Sequence, residues 1–167
     1  IPLLERIEFA INSEGINLSK EVTPQEFQKI VLPCLARSKW VRMWLLDNAL
    51  GDFSCFCLRA CPQFSQLREL FLNNNNITDI GLKSLCLALP GSNLEWINLS
   101  KNQLTDRGIV QLADVLLVSN IKVLWLENNL DIGDQAAMAL AKNSSKLTGL
   151  WVGNNQIGDE GMRVLAK

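Results

Sequence analysis

The sequence predicts an α/β solenoid in which a parallel β-sheet lines the concave face and helices form the convex face. A strand-like pattern, with leucine-like residues at positions 1, 4 and 6 and asparagine at position 9, recurs with a period near 27 residues. Three copies are followed by a helix-start pattern, as in Ile77-Thr-Asp-Ile-Gly81. A unit of this size cannot bury its own apolar face, so neighbouring units must stack.

The leucine pattern defines about six units within one domain, residues 1–167. In the third unit it reads Leu67-x-x-Leu70-x-Leu72-x-x-Asn75, and the same residue types return 27 positions later. The core leucines alternate with other residues, which is typical of a strand with one buried face. The predicted strands lie near residues 6–9, 42–46, 69–73, 96–100, 123–127 and 149–153.

Two units depart from the period. The first two strand centres are 43 − 7 = 36 residues apart, which predicts nine extra residues in a loop within 13–23. The capping box Thr23-Pro-Gln-Glu26 predicts that a helix starts directly after this loop. The fifth unit has one additional residue between Asn129 and Ile132, which predicts a local bulge.

An asparagine follows each predicted strand, at the point where the chain turns inward. Its amide both donates and accepts hydrogen bonds, so it satisfies backbone groups of adjacent turns that would otherwise be buried without partners. We therefore assign a structural role to Asn12, Asn48, Asn75, Asn102, Asn129 and Asn155.

Aspartates recur at the predicted helix starts. We expect them to be N-caps of these helices rather than a pair of catalytic carboxylates. They are Asp52, Asp79, Asp106, Asp134 and Asp159.

The motif LxxLxLxxN resembles that of the leucine-rich repeat proteins, and the resemblance covers nearly all of the chain. The period near 27 and the full helix in each unit resemble the ribonuclease-inhibitor-like subclass, which implies a horseshoe segment. The stretch Leu124-Trp-Leu126 places a tryptophan between two core leucines, and similar tryptophans occur on the concave face of ribonuclease inhibitor. That protein is strongly acidic and alternates two unit types, whereas this chain has a net charge of −1 and one unit type, so ribonuclease is not the expected ligand.

Large aromatic residues occupy four of the six strand positions between the two core leucines, and Trp96 lies one column nearer the N-terminus, where it also faces the concave side. Aromatic residues and arginine among polar neighbours are typical of protein-binding hot spots. The alternative is that the rings only stack on one another and stabilise the sheet. The predicted partner-binding residues are Trp44, Phe71, Trp96, Trp125, Trp151, Arg42, Glu69, Asn98 and Glu127.

The composition argues against several other functions. Basic residues are scattered and the net charge is −1, so nucleic acid and membrane surfaces are not expected partners. The chain has no histidine and no phosphate-binding glycine motif, so we expect no enzymatic activity, no cofactor and no small-molecule substrate. The five cysteines are expected to be small packed residues rather than a zinc site.

These observations predict a cytoplasmic, non-enzymatic module that binds another protein through its concave aromatic residues. The units also resemble the Ran GTPase-activating protein, so one alternative is a regulator that acts on an enzyme in trans. Another is the ligand-sensing arc of a multidomain receptor, as in the NOD-like receptors. The chain opens at Ile1-Pro2 and closes within a periodic segment at Lys167, from which we expect a piece of a longer protein without its caps.

Overall fold

A computed structural model describes residues 2–166 of the chain. Six short strands form one parallel sheet in the order β1-β2-β3-β4-β5-β6. The predicted α/β solenoid with a parallel sheet is confirmed. The strands are β1 Gly15–Asn17, β2 Arg42–Trp44, β3 Glu69–Phe71, β4 Trp96–Asn98, β5 Val123–Trp125 and β6 Gly149–Trp151.

The helices form a second layer against this sheet. Each helix from α4 onward packs on the next along the chain. Since a helix is about 10 Å wide and neighbouring strands are about 4.8 Å apart, the sheet lies on the inner side of the stack. The α-helices are α1 Leu3–Ala10, α2 Pro24–Glu26, α3 Leu32–Leu35, α4 Gly51–Ala60, α5 Asp79–Ala88, α6 Asp106–Leu116, α7 Asp134–Asn143 and α8 Asp159–Leu165. A π-helical segment, Phe27–Val31, joins α2 to α3, and a 3-10 helix spans Pro62–Gln66.

Alternation within the strands separates the core from the concave surface. The central residue of each strand from β2 to β5 points between the two layers and is fully buried, as Leu70 and Ile97 show. Burying a leucine side chain of this kind stabilises the fold by about 2 kcal/mol. The flanking residues of each strand point the other way, which leaves them available on the concave face.

The asparagine after each interior strand joins two units through its side chain. Oδ1 of Asn102 accepts hydrogen bonds from the backbone N–H groups of Asn75 (3.1 Å) and Ile77 (3.0 Å) in the preceding unit. Its Nδ2 donates to the carbonyls of Leu72 (3.1 Å) and Leu99 (3.0 Å). Comparable inter-unit bonds are made by Asn48, Asn75, Asn129 and Asn155.

The aspartates at the helix starts join the units from the other side, and the expectation that they are N-caps is wrong. Asp79 is the first residue of α5, and the N-cap is Thr78, whose side chain accepts from the N–H of Ile80. The Asp79 carboxylate instead accepts from the N–H (3.0 Å) and hydroxyl (2.6 Å) of Thr105 in the following unit. The same direction of bonding holds for Asp52, Asp106 and Asp134.

The first predicted unit is wrong. Residues 6–9 lie within helix α1 instead of a strand, and β1 is formed by Gly15–Asn17. The run Leu3-Leu-Glu-Arg-Ile7 fits a helical period as well as a strand, because short apolar runs do not distinguish the two. The centre of β1 is Ile16, which pairs with Met43 at the regular spacing of 43 − 16 = 27 residues.

This shift removes the predicted nine-residue insertion. Asn12 lies in the turn after α1, where it is exposed, and Glu21 occupies the position that the other units give to asparagine. Asn12 is therefore not part of the asparagine series. The helix α1 is held on the first unit by the Nε1 group of the fully buried Trp40, which donates to the carbonyl of Ala10 at 2.9 Å.

Two other features predicted from the sequence, the capping box at Thr23 and the additional residue of the fifth unit, are found where they were expected. The capping box is formed, since Thr23 accepts from the N–H of Glu26 and the Glu26 carboxylate accepts from the N–H of Thr23. This bonding lowers the pKa of Glu26 below its usual value. In the fifth unit the additional residue leaves Leu130 at 67 % exposure, while Ile132 returns to the core.

The cysteines pack among apolar side chains. Burial raises the pKa of the Cys55 and Cys86 thiols to about 12, so both remain protonated at neutral pH. All five cysteines are free thiols. The helices within residues 2–166 are too short or too polar to cross a lipid bilayer.

Candidate partner-binding surface

Five aromatic side chains lie on the concave face and form what we call the aromatic ladder. The register places Trp44 beside Phe71 on neighbouring strands, and Trp125 beside Trp151. Trp96 lies two residues before the in-line position of its strand, and it pairs with Val123. The ladder consists of Trp44, Phe71, Trp96, Trp125 and Trp151.

The rings of the ladder contact one another in an unbroken series. Trp44 stacks on Phe71 with ring centroids 5.9 Å apart, and Trp125 stacks on Trp151 at 4.9 Å with only 15° between the ring planes. Phe71 reaches Trp125 at 5.8 Å although strand β4 lies between them. Trp96 joins from the side, 5.9 Å from Trp125.

The ring contacts continue across β4 because the in-line residue of that strand, Asn98, is small and its side chain makes a hydrogen bond within its own strand. Asn98 turns its side chain along its own strand, where Oδ1 accepts from the N–H of Ser100 at 2.9 Å. The Phe71 and Trp125 rings therefore close over a short polar side chain. Asn98 was predicted to bind a partner, and it lies half-buried on the concave face.

Two glycines receive the end rings of the ladder. A methyl group at Gly149 would lie 2.5 Å from the Trp151 ring, and one at Gly15 would lie 2.9 Å from the ring of Trp44. Either distance is too short for a real contact, so glycine is needed for the rings to lie flat there. Sequence reasoning did not identify these glycines as part of the site, although a glycine within a strand signals close approach of another group.

Charged residues flank the ladder. Arg42 lies between two carboxylates, 3.2 Å from Glu69 and 3.5 Å from Glu14. Glu127 lies on the same face beside Trp125 and is half-buried. The nine residues predicted to bind a partner therefore share one face of the sheet, whose centre is aromatic and whose margins are charged.

Comparisons with known proteins concern the repeat and the fold. A family model described as a leucine-rich repeat matches residues 66–86, 92–113 and 143–166. No curated protein matches the sequence.

Two solved structures are similar over almost the whole chain. The C-terminal domain of tropomodulin from Caenorhabditis elegans has 16 % sequence identity and a TM-score of 0.54, covering 99 % of this chain and 90 % of that domain. Actin-binding site 2 of leiomodin-1 has 15 % identity and a TM-score of 0.53, covering 98 % of this chain and 85 % of that one. At such identities the likeness concerns the fold.

The repeat matches, the six parallel strands with their helices, and the shared fold agree with one another. The bonds between units are made by residues at equivalent positions, as in a solenoid whose units each contact only their neighbours. The chain folds as an α/β solenoid of leucine-rich repeats, and three of its segments match the repeat model.

Proposed function

We propose that the chain is a non-enzymatic module that binds a protein partner through the aromatic ladder. The observation that carries this proposal is the exposure left on the rings after they have stacked. Trp96 and Trp151 remain 40 % and 44 % exposed, whereas the central residues of strands β2 to β5, on the other face of the sheet, are fully buried. Apolar rings that are both exposed and held in place favour binding, because little side-chain freedom is lost when a partner covers them.

The stacking that the alternative interpretation requires is also present. Ring contacts of this type contribute about 0.5 to 1.5 kcal/mol each beyond area burial, so the ladder also stabilises the sheet. Stacking alone needs no exposed ring face, and this is why we favour binding over packing as the main role.

We also propose that the repeats are of the ribonuclease-inhibitor-like subclass and that the protein is cytoplasmic. A helix in every unit from α4 to α8 and the regular 27-residue spacing of β1 to β5 support the subclass. Five free thiols support a reducing compartment.

Truncating one exposed ring tests the proposal. Random dodecapeptides displayed on phage and selected on the wild-type chain provide defined ligands. We expect Trp151→Ala to weaken their binding by about 2 kcal/mol, roughly thirtyfold, because the ring is 44 % exposed and is held in place by its stack on Trp125. Titration calorimetry measures the affinity, and circular dichroism confirms that the fold is retained.

Phe53→Ala is the matched control, since Phe53 is 45 % exposed but lies on helix α4 of the convex layer. Its affinity should equal that of the wild type. Equal affinities for Trp151→Ala, Trp125→Ala and the wild type would show that the ladder is not the binding site. The leiomodin-1 segment is named as an actin-binding site, so actin is the first folded protein to assay with the same variants.

A further inference from the structure

Three polar residues form a row beside the aromatic ladder that the proposed function leaves unexplained. Asn73, Ser100 and Glu127 each follow the ladder position of their strand by two residues, so their side chains leave the same face of the sheet. Neighbouring members of this polar row are about 4.8 Å apart, the spacing of adjacent strands.

Glu127 differs from the other carboxylates along the concave face. Glu14 and Glu69 are both paired with Arg42, and Asp47 is paired with Lys20. Among residues 2–166, no cation lies within 4.0 Å of the Glu127 carboxylate. A half-buried, unpaired carboxylate beside exposed rings favours a positively charged ligand.

The other two members of the row carry buried oxygens without partners. Ser100 is only 7 % exposed, and within residues 2–166 neither its Oγ nor the Oδ1 of Asn73 makes a hydrogen bond. The equivalent serine of the first unit is satisfied, because the Ser19 hydroxyl donates to Asn17 Oδ1 at 2.7 Å and accepts from the N–H of Leu46 at 3.3 Å. The same position can therefore be satisfied within the chain, and at Ser100 it is not.

We propose that the polar row binds an arginine or lysine side chain from a basic segment of the protein partner. This rests on the proposed function and specifies the chemistry of the same surface. The amide oxygen, the hydroxyl and the carboxylate all accept hydrogen bonds, and the arginine and lysine head groups are donors only. The charged group lies at Glu127, and the apolar stem of the side chain lies along the edges of the Phe71 and Trp125 rings.

Replacing Ser100 separates an effect on binding from an effect on stability, because its hydroxyl has no hydrogen-bond partner in the free chain. Ser100→Ala removes a buried unsatisfied group, so the melting temperature should stay the same or rise by about 2 to 4 °C. The same variant should bind the selected dodecapeptides about fivefold more weakly, because one hydrogen bond in the complex is lost. A hydroxyl that served only the fold would give the opposite result, lower stability with unchanged affinity.

The charge is tested in parallel. Glu127→Gln should weaken binding about tenfold and should reduce the loss of affinity with added salt, because the ion pair is removed while an acceptor oxygen remains. Dodecapeptides selected on the wild type should be enriched in arginine and lysine over the unselected library. Control variants are Glu160→Gln, an exposed carboxylate on α8, and Ser84→Ala, a buried and equally unpartnered serine on α5; both should bind as the wild type does.

The outcomes distinguish this inference from the proposed function. If Trp151→Ala weakens binding but Ser100→Ala and Glu127→Gln do not, the polar row is not part of the site and the inference is overturned while the proposed function stands. Selected peptides without enrichment of basic residues overturn it equally. If none of the concave variants changes the affinity, both proposals fail.

Discussion

Replacing Asn102 by leucine should lower the free energy of unfolding by about 3 to 4 kcal/mol. Leucine has the same branched shape and is somewhat larger, so the change removes hydrogen bonds without creating a cavity. Two N–H groups of the preceding unit, those of Asn75 and Ile77, lose their acceptor in a site that water does not reach. Each such group costs about 1 to 3 kcal/mol when it is left unpaired. Chemical denaturation monitored by far-ultraviolet circular dichroism measures the loss.

The same substitution at an exposed asparagine provides the control. Asn93 is exposed, and Asn93→Leu should change the free energy of unfolding by less than about 0.5 kcal/mol. An Asn102→Leu chain as stable as the Asn93→Leu chain would mean that the turn amides find other partners. The asparagine series would then not hold the units together.

Gly108→Ala should destabilise the chain by about 2 to 3 kcal/mol, although alanine is the better helix former. Helix propensity alone favours alanine by up to about 1 kcal/mol. A methyl group at Gly108 would, however, lie 2.7 Å from Cγ of Asp79. The carboxylate must then move away from Thr105, which costs strain of about 1 to 3 kcal/mol and both hydrogen bonds to that threonine. Thermal and urea unfolding give the sign directly.

A double-mutant cycle identifies the cause. In an Asp79→Ala background the methyl group meets no carboxylate, so Gly108→Ala should become neutral or stabilising. Gly153→Ala serves as the control for the substitution itself, because the nearest atom to a methyl group there is 3.7 Å away. If Gly108→Ala were equally harmful with and without Asp79, close approach of the carboxylate would not be the reason for glycine.

The strands from the second unit onward could be predicted because several independent positions repeat together. Strands β2 to β6 begin at the residues predicted from sequence, 42, 69, 96, 123 and 149, and end two residues earlier than predicted. The first unit could not be predicted, because it has Glu21 at the asparagine position and helix α1 has similar apolar spacing. The true first repeat is degenerate, and residues 6–9 resemble the motif by chance. Contacts in the structure distinguish the two, such as the hydrogen bond from Trp40 to Ala10 that places α1 beside the first unit.

The sequence predicts which residues face the candidate surface, but it does not predict how their side chains contact one another. Alternation places Trp44 and Trp125 outward, and the structure agrees. The contact of Phe71 with Trp125 across β4 depends on side-chain torsions, which sequence spacing does not determine. The unpaired oxygens of the polar row depend likewise on where each neighbouring side chain turns.

Asparagine and aspartate bond between units in opposite directions, and this has a consequence for how such a chain changes length in evolution. The asparagines that follow strands β2 to β6 accept from the unit before them, and the aspartates from Asp52 to Asp134 accept from the unit after them. Duplication or deletion of one whole unit therefore leaves every acceptor opposite a suitable donor. A gene encoding this chain can lengthen or shorten its arc in whole steps, adding or removing one ring of the ladder each time.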